Sequence, residues 1–213
     1  MLNLLTILAT SYLIAFSGAA MPGPLMTVTI SESARRGFIS GPLLMLGHAM
    51  LELSLLTLLM FGLAPYLKQD WVFAVIGIVG GVMLAWMGMG MLRSIPKLSI
   101  HTDINNSQGS HLVLSGILVS VSNPYWSLWW ATIGLAYVLY SAQFGPWGIV
   151  FFFIGHTLGD LTWYCAISLA MSKGKRFLSD THYRALIGTC AVFLLLLAGY
   201  FAYSGVSRAF ALV

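Results

Sequence analysis

The sequence predicts an all-α integral membrane protein, with six transmembrane helices arranged as two inverted three-helix repeats. Three observations lead there. The chain has 213 residues, of which 59% are hydrophobic and only 16 are charged. An average soluble chain of this length carries roughly 53 charges, so a soluble fold could not clothe its surface from this composition. Six apolar runs are each long enough to cross a bilayer, which takes about 20 residues. A Gly-His motif that ends in an acid also occurs twice, once in each half. A disordered chain, a nucleic-acid binder and a secreted disulfide scaffold are excluded by the same composition. The pI of about 9.2 comes from scattered basic residues that form no patch.

The runs, in order, are residues 4–30, 38–67, 71–92, 112–140, 147–171 and 185–210. The first contains Pro22-Gly23-Pro24 and has no basic residue before it, so it reads as an uncleaved span rather than a secretory signal. The one long polar stretch, residues 93–111, separates the third run from the fourth. It divides a single transmembrane domain, residues 1–213, into a first repeat (about 1–95), a polar cytoplasmic linker (about 96–110) and a second repeat (about 111–213). The loops after runs one, three and five hold Arg35, Arg36, Arg93, Lys97, Lys173, Lys175, Arg176 and Arg184. The opposite side holds Lys68 and Arg208. Positive charge concentrates on the cytoplasmic side, so both termini are expected outside a cell (inner or plasma) membrane. Cys165 and Cys190 lie in apolar runs and read as packing residues.

The repeat is specific. Gly47-His48-x-x-x-Glu52 recurs as Gly155-His156-x-x-x-Asp160, an offset of 108 residues, and Ser17-Gly18 before one proline break matches Ser115-Gly116 before another. Three spans per half make the halves enter the membrane from opposite sides, an architecture that places a site at the midplane. Glu52 lies about 14 residues into its run and Asp160 about 13, which is roughly 20 Å along a helix from either face. Ionisable residues at that depth are costly and mark ion or substrate paths. His48 and His156 each precede an acid by four residues, so each pair shares a helix face. These histidines can tune the acids, relay protons, bind metal or serve in packing. His101, His111 and His182 are expected in loops, without a role.

Pro22-Gly23-Pro24 and Asn123-Pro124 interrupt apolar runs at corresponding places, freeing backbone groups that can hold an anionic ligand. Tyr125 stands next to the second break and is expected to line the site. Trp126, Trp129 and Trp130, which follow at helical spacing, read as packing or lipid-facing aromatics. Gly77-x-x-x-Gly81 and Gly155-x-x-x-Gly159 are expected at close helix contacts. Arg35-Arg36-Gly37 reads as a topology anchor.

A first span with Pro-Gly-Pro, the basic pair and glycine at 35–37, Asn123-Pro124, and Gly155-x-x-x-Gly159-Asp160 together resemble the LysE-type amino-acid exporter family over essentially the whole chain. The resemblance implies export of amino acids or related small amphoteric compounds, driven by a proton or membrane gradient. A proton or other coupling ion, the lipid bilayer and a homo-oligomer fit this expectation, and no cofactor is implied. The wider superfamily also includes cation and metal exporters, so a divalent-metal exporter using His48, Glu52, His156 and Asp160 is the alternative. A membrane-embedded metal-dependent hydrolase is a second one. It lacks an H-E-x-x-H motif and has no need of an inverted repeat, so a transporter rather than an enzyme is expected.

Overall fold

The computed structural model describes residues 2–67, 69–99, 111–174, 177 and 179–210. The chain is almost wholly helical. Five helical stretches are long and apolar enough to cross a membrane: Leu2–Ala19, Ser40–Gly62, Asp70–Lys97, Gly145–Gly174 and Asp180–Phe210.

The first run is broken. Helix α1 (Leu2–Ala19) ends before the Pro-Gly-Pro stretch, and α2 (Pro24–Arg36) restarts with Pro24 in its first turn. Proline suits that position because the amide it lacks would have had no intrahelical partner. Helix α2 ends at Gly37, whose φ of 84° favours glycine. Helix α3 (Ser40–Leu58) then runs into a wide turn, Leu59–Leu63, and the short α4 (Ala64–Leu67). Gly62, with φ of 103°, interrupts the helix there. Helix α5 (Asp70–Ser94) continues through a 3-10 turn, Ile95–Lys97, so the start of the expected polar linker is helical. Residues 100–110, including His101, Asp103, Asn105, Asn106 and Gly109, fall outside the described residues, as do Lys68, Lys175 and Arg176.

The fourth run is also divided, into α6 (Leu112–Val121), α7 (Pro124–Trp129), a wide turn Trp130–Gly134 and α8 (Leu135–Ala142). Helices α9 (Gly145–Gly174) and α10 (Asp180–Phe210) are long and unbroken. His182 therefore lies in the first turn of α10 rather than in a loop, and its Nδ1 is 2.9 Å from Ser179 Oγ.

Three helix pairs organise the packing, and glycine sets each one. Along α5 and α10, a Cβ on Gly77 would lie 2.8 Å from Gly205 Cα, and one on Gly81 would lie 2.9 Å from the Ala202 amide. Only glycine lets the two backbones approach so closely. The pair is antiparallel, since Asp70 at the start of α5 meets Arg208 near the end of α10 at 3.0 Å. Helices α1 and α9 touch where Gly155 faces Leu8 and Ser11 and Gly159 faces Tyr12 and Ala15. Helices α3 and α6 touch where Gly47 faces Val113 and Gly116 faces Leu44. In both of these pairs the contacts advance together, as Leu44–Gly116 followed by His48–Ser120 shows for α3 and α6. Both pairs are parallel. Large apolar side chains such as Leu13, Val82, Trp86 and Leu196 remain exposed around the bundle, a surface suited to lipid rather than water.

Candidate functional site

Helices α3 and α9 carry the two Gly-His motifs and meet at their centres. His48, Glu52, His156 and Asp160 are all buried there. The 108-residue offset in sequence closes to hydrogen-bond distance in space. His156 Nε2 is 3.2 Å from Glu52 Oε2 and 3.2 Å from Asp160 Oδ2, and so touches both acids. His48 Nε2 is 3.0 Å from Glu52 Oε1 and 3.7 Å from Asp160 Oδ2. Its other ring nitrogen, Nδ1, shares a 2.7 Å hydrogen bond with Ser120 Oγ on α6, which fixes the ring plane.

Glu52 is held more firmly than the expected pairing with its own histidine would achieve. Trp126 and Trp130 donate their indole N–H groups to Glu52 Oε1 at 3.2 and 2.9 Å. Both belong to the segment after the second break, four residues apart on one face. Their role was not read from the sequence. The signal available was that a buried indole must find an acceptor, and few acceptors exist in so apolar a chain. Trp129, between them in sequence, engages different partners. It stacks on His156 at a centroid distance of 4.9 Å and donates to Ser17 Oγ at 3.0 Å. Phe152 also stacks on His156, at 5.9 Å.

The two helix breaks face each other. A Cβ on Gly23 would lie 3.6 Å from Asn123 Nδ2, and Gly23 itself is extended, with φ of −154°. The Asn123 side chain caps α7 by accepting from the Tyr125 amide at 3.1 Å. Gly23, Asn123, Tyr125 and the four His and acid side chains line one cavity of about 40 Å³. That is room for a few water molecules. Pro22, Pro24 and Pro124 are not among its lining residues. Pro24 and Pro124 instead start α2 and α7, and Pro124 packs on Gly80 of α5. Tyr125 reaches across to α1, donating from its hydroxyl to the Ser17 carbonyl at 2.9 Å. Together with Trp129 it ties the end of α1 to α7 beside the cavity.

Chemically, the cluster offers two acids and two imidazoles, and no Lys or Arg among the described residues lines the cavity. Asp160 Oδ2 and His156 Nδ1 are buried and accept or donate no hydrogen bond among the described residues. One ligand atom each from His48, Glu52 and Asp160 lies within 4.8 Å of the others, close enough to share a cation. Away from this centre, Arg36 and Arg35 sit 2.7 and 3.5 Å from Glu32 at the end of α2, as suits an anchor.

Comparison with known proteins places the chain in a family. Residues 16–205 match the family model of the LysE type translocator. The chain is 24% identical over 204 residues to the putative amino acid efflux protein YcgF of Bacillus subtilis, covering 93% of this chain and 96% of that protein. It is 26% identical over 198 residues to the chemotactic transduction protein ChpE of Pseudomonas aeruginosa, covering 92% and 97%. No solved structure matches. The chain is thus a multi-pass membrane transporter that belongs to the LysE-type translocator family.

Proposed function

We propose that this protein is a secondary transporter that exports amino acids or related small amphoteric compounds from the cytoplasm by alternating access around the His–carboxylate cluster. The observation that carries this reading is the convergence of both Gly-His motifs on one buried cluster beside both helix breaks. The efflux name of the Bacillus subtilis relative supports the substrate class and direction. Glu52 and Asp160 take the substrate ammonium or exchange protons. The backbone freed at Gly23 and Asn123 faces the substrate carboxylate, where helix starts favour negative charge.

A cavity of about 40 Å³ does not admit an amino acid, so loading requires the helices around it to part. This is the change that alternating access supplies. The parallel pairs α1–α9 and α3–α6 and the antiparallel pair α5–α10 support a six-crossing bundle. Its residues 112–142 complete a second repeat inverted against the first. The basic residues then face the cytoplasm and both termini face out.

Export measured in cells tests the reading. Glu52→Gln and Asp160→Asn proteins that insert at normal levels are expected to lose amino-acid export, and unimpaired export by both would sink it. The spacing of His48, Glu52 and Asp160 favours one second reading, a divalent-metal exporter. Metal efflux that depends on His48 and His156, with amino-acid export absent, would establish that reading instead.

A further inference from the structure

Three side chains of the cluster have a second exposure. His48, Glu52 and Asp160 line both the central cavity and a groove between α3 and α9. The two spaces differ tenfold in size, about 40 Å³ against about 400 Å³. Apart from the trio and Thr157, the groove is walled by apolar residues, among them Leu43, Met45, Ala49 and Leu161. Thr157 and Asp160 stand three residues apart on the same face of α9. Thr157 Oγ1 and Asp160 Oδ2 are both buried and make no hydrogen bond among the described residues, the nearest nitrogen to Asp160 Oδ2 being His156 Nε2 at 3.2 Å. A buried carboxylate oxygen and hydroxyl left in this state are costly until a donor arrives. An ammonium brings three.

Resting on the export reading above, we infer that the groove is the side-chain subsite of the transporter and that its cargo is a neutral amino acid with an apolar side chain. The ammonium sits at Asp160, beside the Thr157 hydroxyl. The aliphatic body lies against Leu43, Met45, Ala49 and Leu161. An acidic side chain meets no Lys or Arg among the described residues in either space. Of the two acids in the groove, Asp160 holds the α-ammonium and Glu52 Oε1 is already held by two imidazoles and two indoles, so a basic side chain meets no further free acid among the described residues. A lipid acyl chain would also fit the apolar walls, but it brings nothing for Asp160 and Thr157.

The test is transport of labelled leucine, alanine, lysine and glutamate by the purified full-length protein in liposomes. Leucine is expected to exceed lysine and glutamate by about tenfold or more, the scale on which an apolar pocket discriminates. Ala49→Phe fills the groove and is expected to lower the leucine-to-alanine ratio by about tenfold. Ala49→Leu carries the same ratio test should the larger variant fail to insert. Preference for lysine or glutamate overturns the inference. So does an unchanged ratio in an inserted variant, which would leave the groove to lipid. Lysine carried faster than leucine, with transport of both lost in Glu52→Gln, overturns the inference while the export reading stands. No movement of any amino acid overturns the export reading, and this inference with it.

Discussion

Glu52 and Asp160 hold corresponding places in the two Gly-His motifs, yet their surroundings are unlike. Glu52 Oε1 faces four nitrogens, from His48, His156, Trp126 and Trp130, at 2.9 to 3.2 Å. Asp160 Oδ2 has two imidazoles nearby, at 3.2 and 3.7 Å, and accepts no hydrogen bond among the described residues. The difference arises in the segments that follow the breaks. After Pro124 the chain reads Tyr125-Trp126, with Trp129 and Trp130 beyond. After Pro24 it reads Leu25-Met26, with Thr29 and Ile30 beyond. One segment presents indole donors to its acid. The other presents thioether and alkyl groups, and its Thr29 hydroxyl is already donated to the Leu25 carbonyl at 2.8 Å. Each acid keeps one buried oxygen without a hydrogen bond among the described residues, Glu52 Oε2 and Asp160 Oδ2, but only Glu52 has its other oxygen held by two indoles, so Asp160 is the less firmly held of the two.

Stability of the purified protein in detergent is the first way to break this contrast. Glu52→Ala leaves two indoles and two imidazoles without their acceptor, and is expected to cost about 3–5 kcal/mol, the range for breaking a buried charged network. Asp160→Ala is expected to cost about 1–3 kcal/mol, because fewer bonds depend on it. Equal losses in thermal or denaturant unfolding would show that the two acids are equally anchored.

A smaller effect sharpens the account. Trp130→Phe keeps the ring and removes one donor, and is expected to destabilise by about 1–2 kcal/mol. Trp126→Phe should cost less, about 1 kcal/mol or under, since its bond is longer, 3.2 Å against 2.9 Å, and only Trp130 is fully buried. The reverse order would mean that Trp130 packs rather than holds Glu52.

The four His and acid residues were legible because charge is scarce here. In a chain with 16 charged residues, two acids deep in apolar runs cannot be incidental. The breaks were legible because proline cannot continue a helix. So were the Gly77, Gly81, Gly155 and Gly159 contacts, since spacing alone puts each pair on one face. The indole donors were not legible. Whether Trp126 and Trp130 face lipid or Glu52 depends on how α7 is rotated after Asn123, which is a tertiary outcome. The wide turns at Leu59–Leu63 and Trp130–Gly134 escaped for a similar reason. Apolar periodicity does not register a turn that changes helix pitch without breaking the hydrophobic run. The prolines were rightly placed at the breaks, but their rings start helices and do not line the cavity.

The central claim is that both Gly-His motifs form one functional unit. Transport rates of reconstituted Glu52→Gln, Asp160→Asn and the double variant test it most directly. Groups acting as a unit give losses that do not add, so the double variant is expected to transport no worse than the more impaired single one. Losses that multiply in full would mean two independent sites, and would contradict the account.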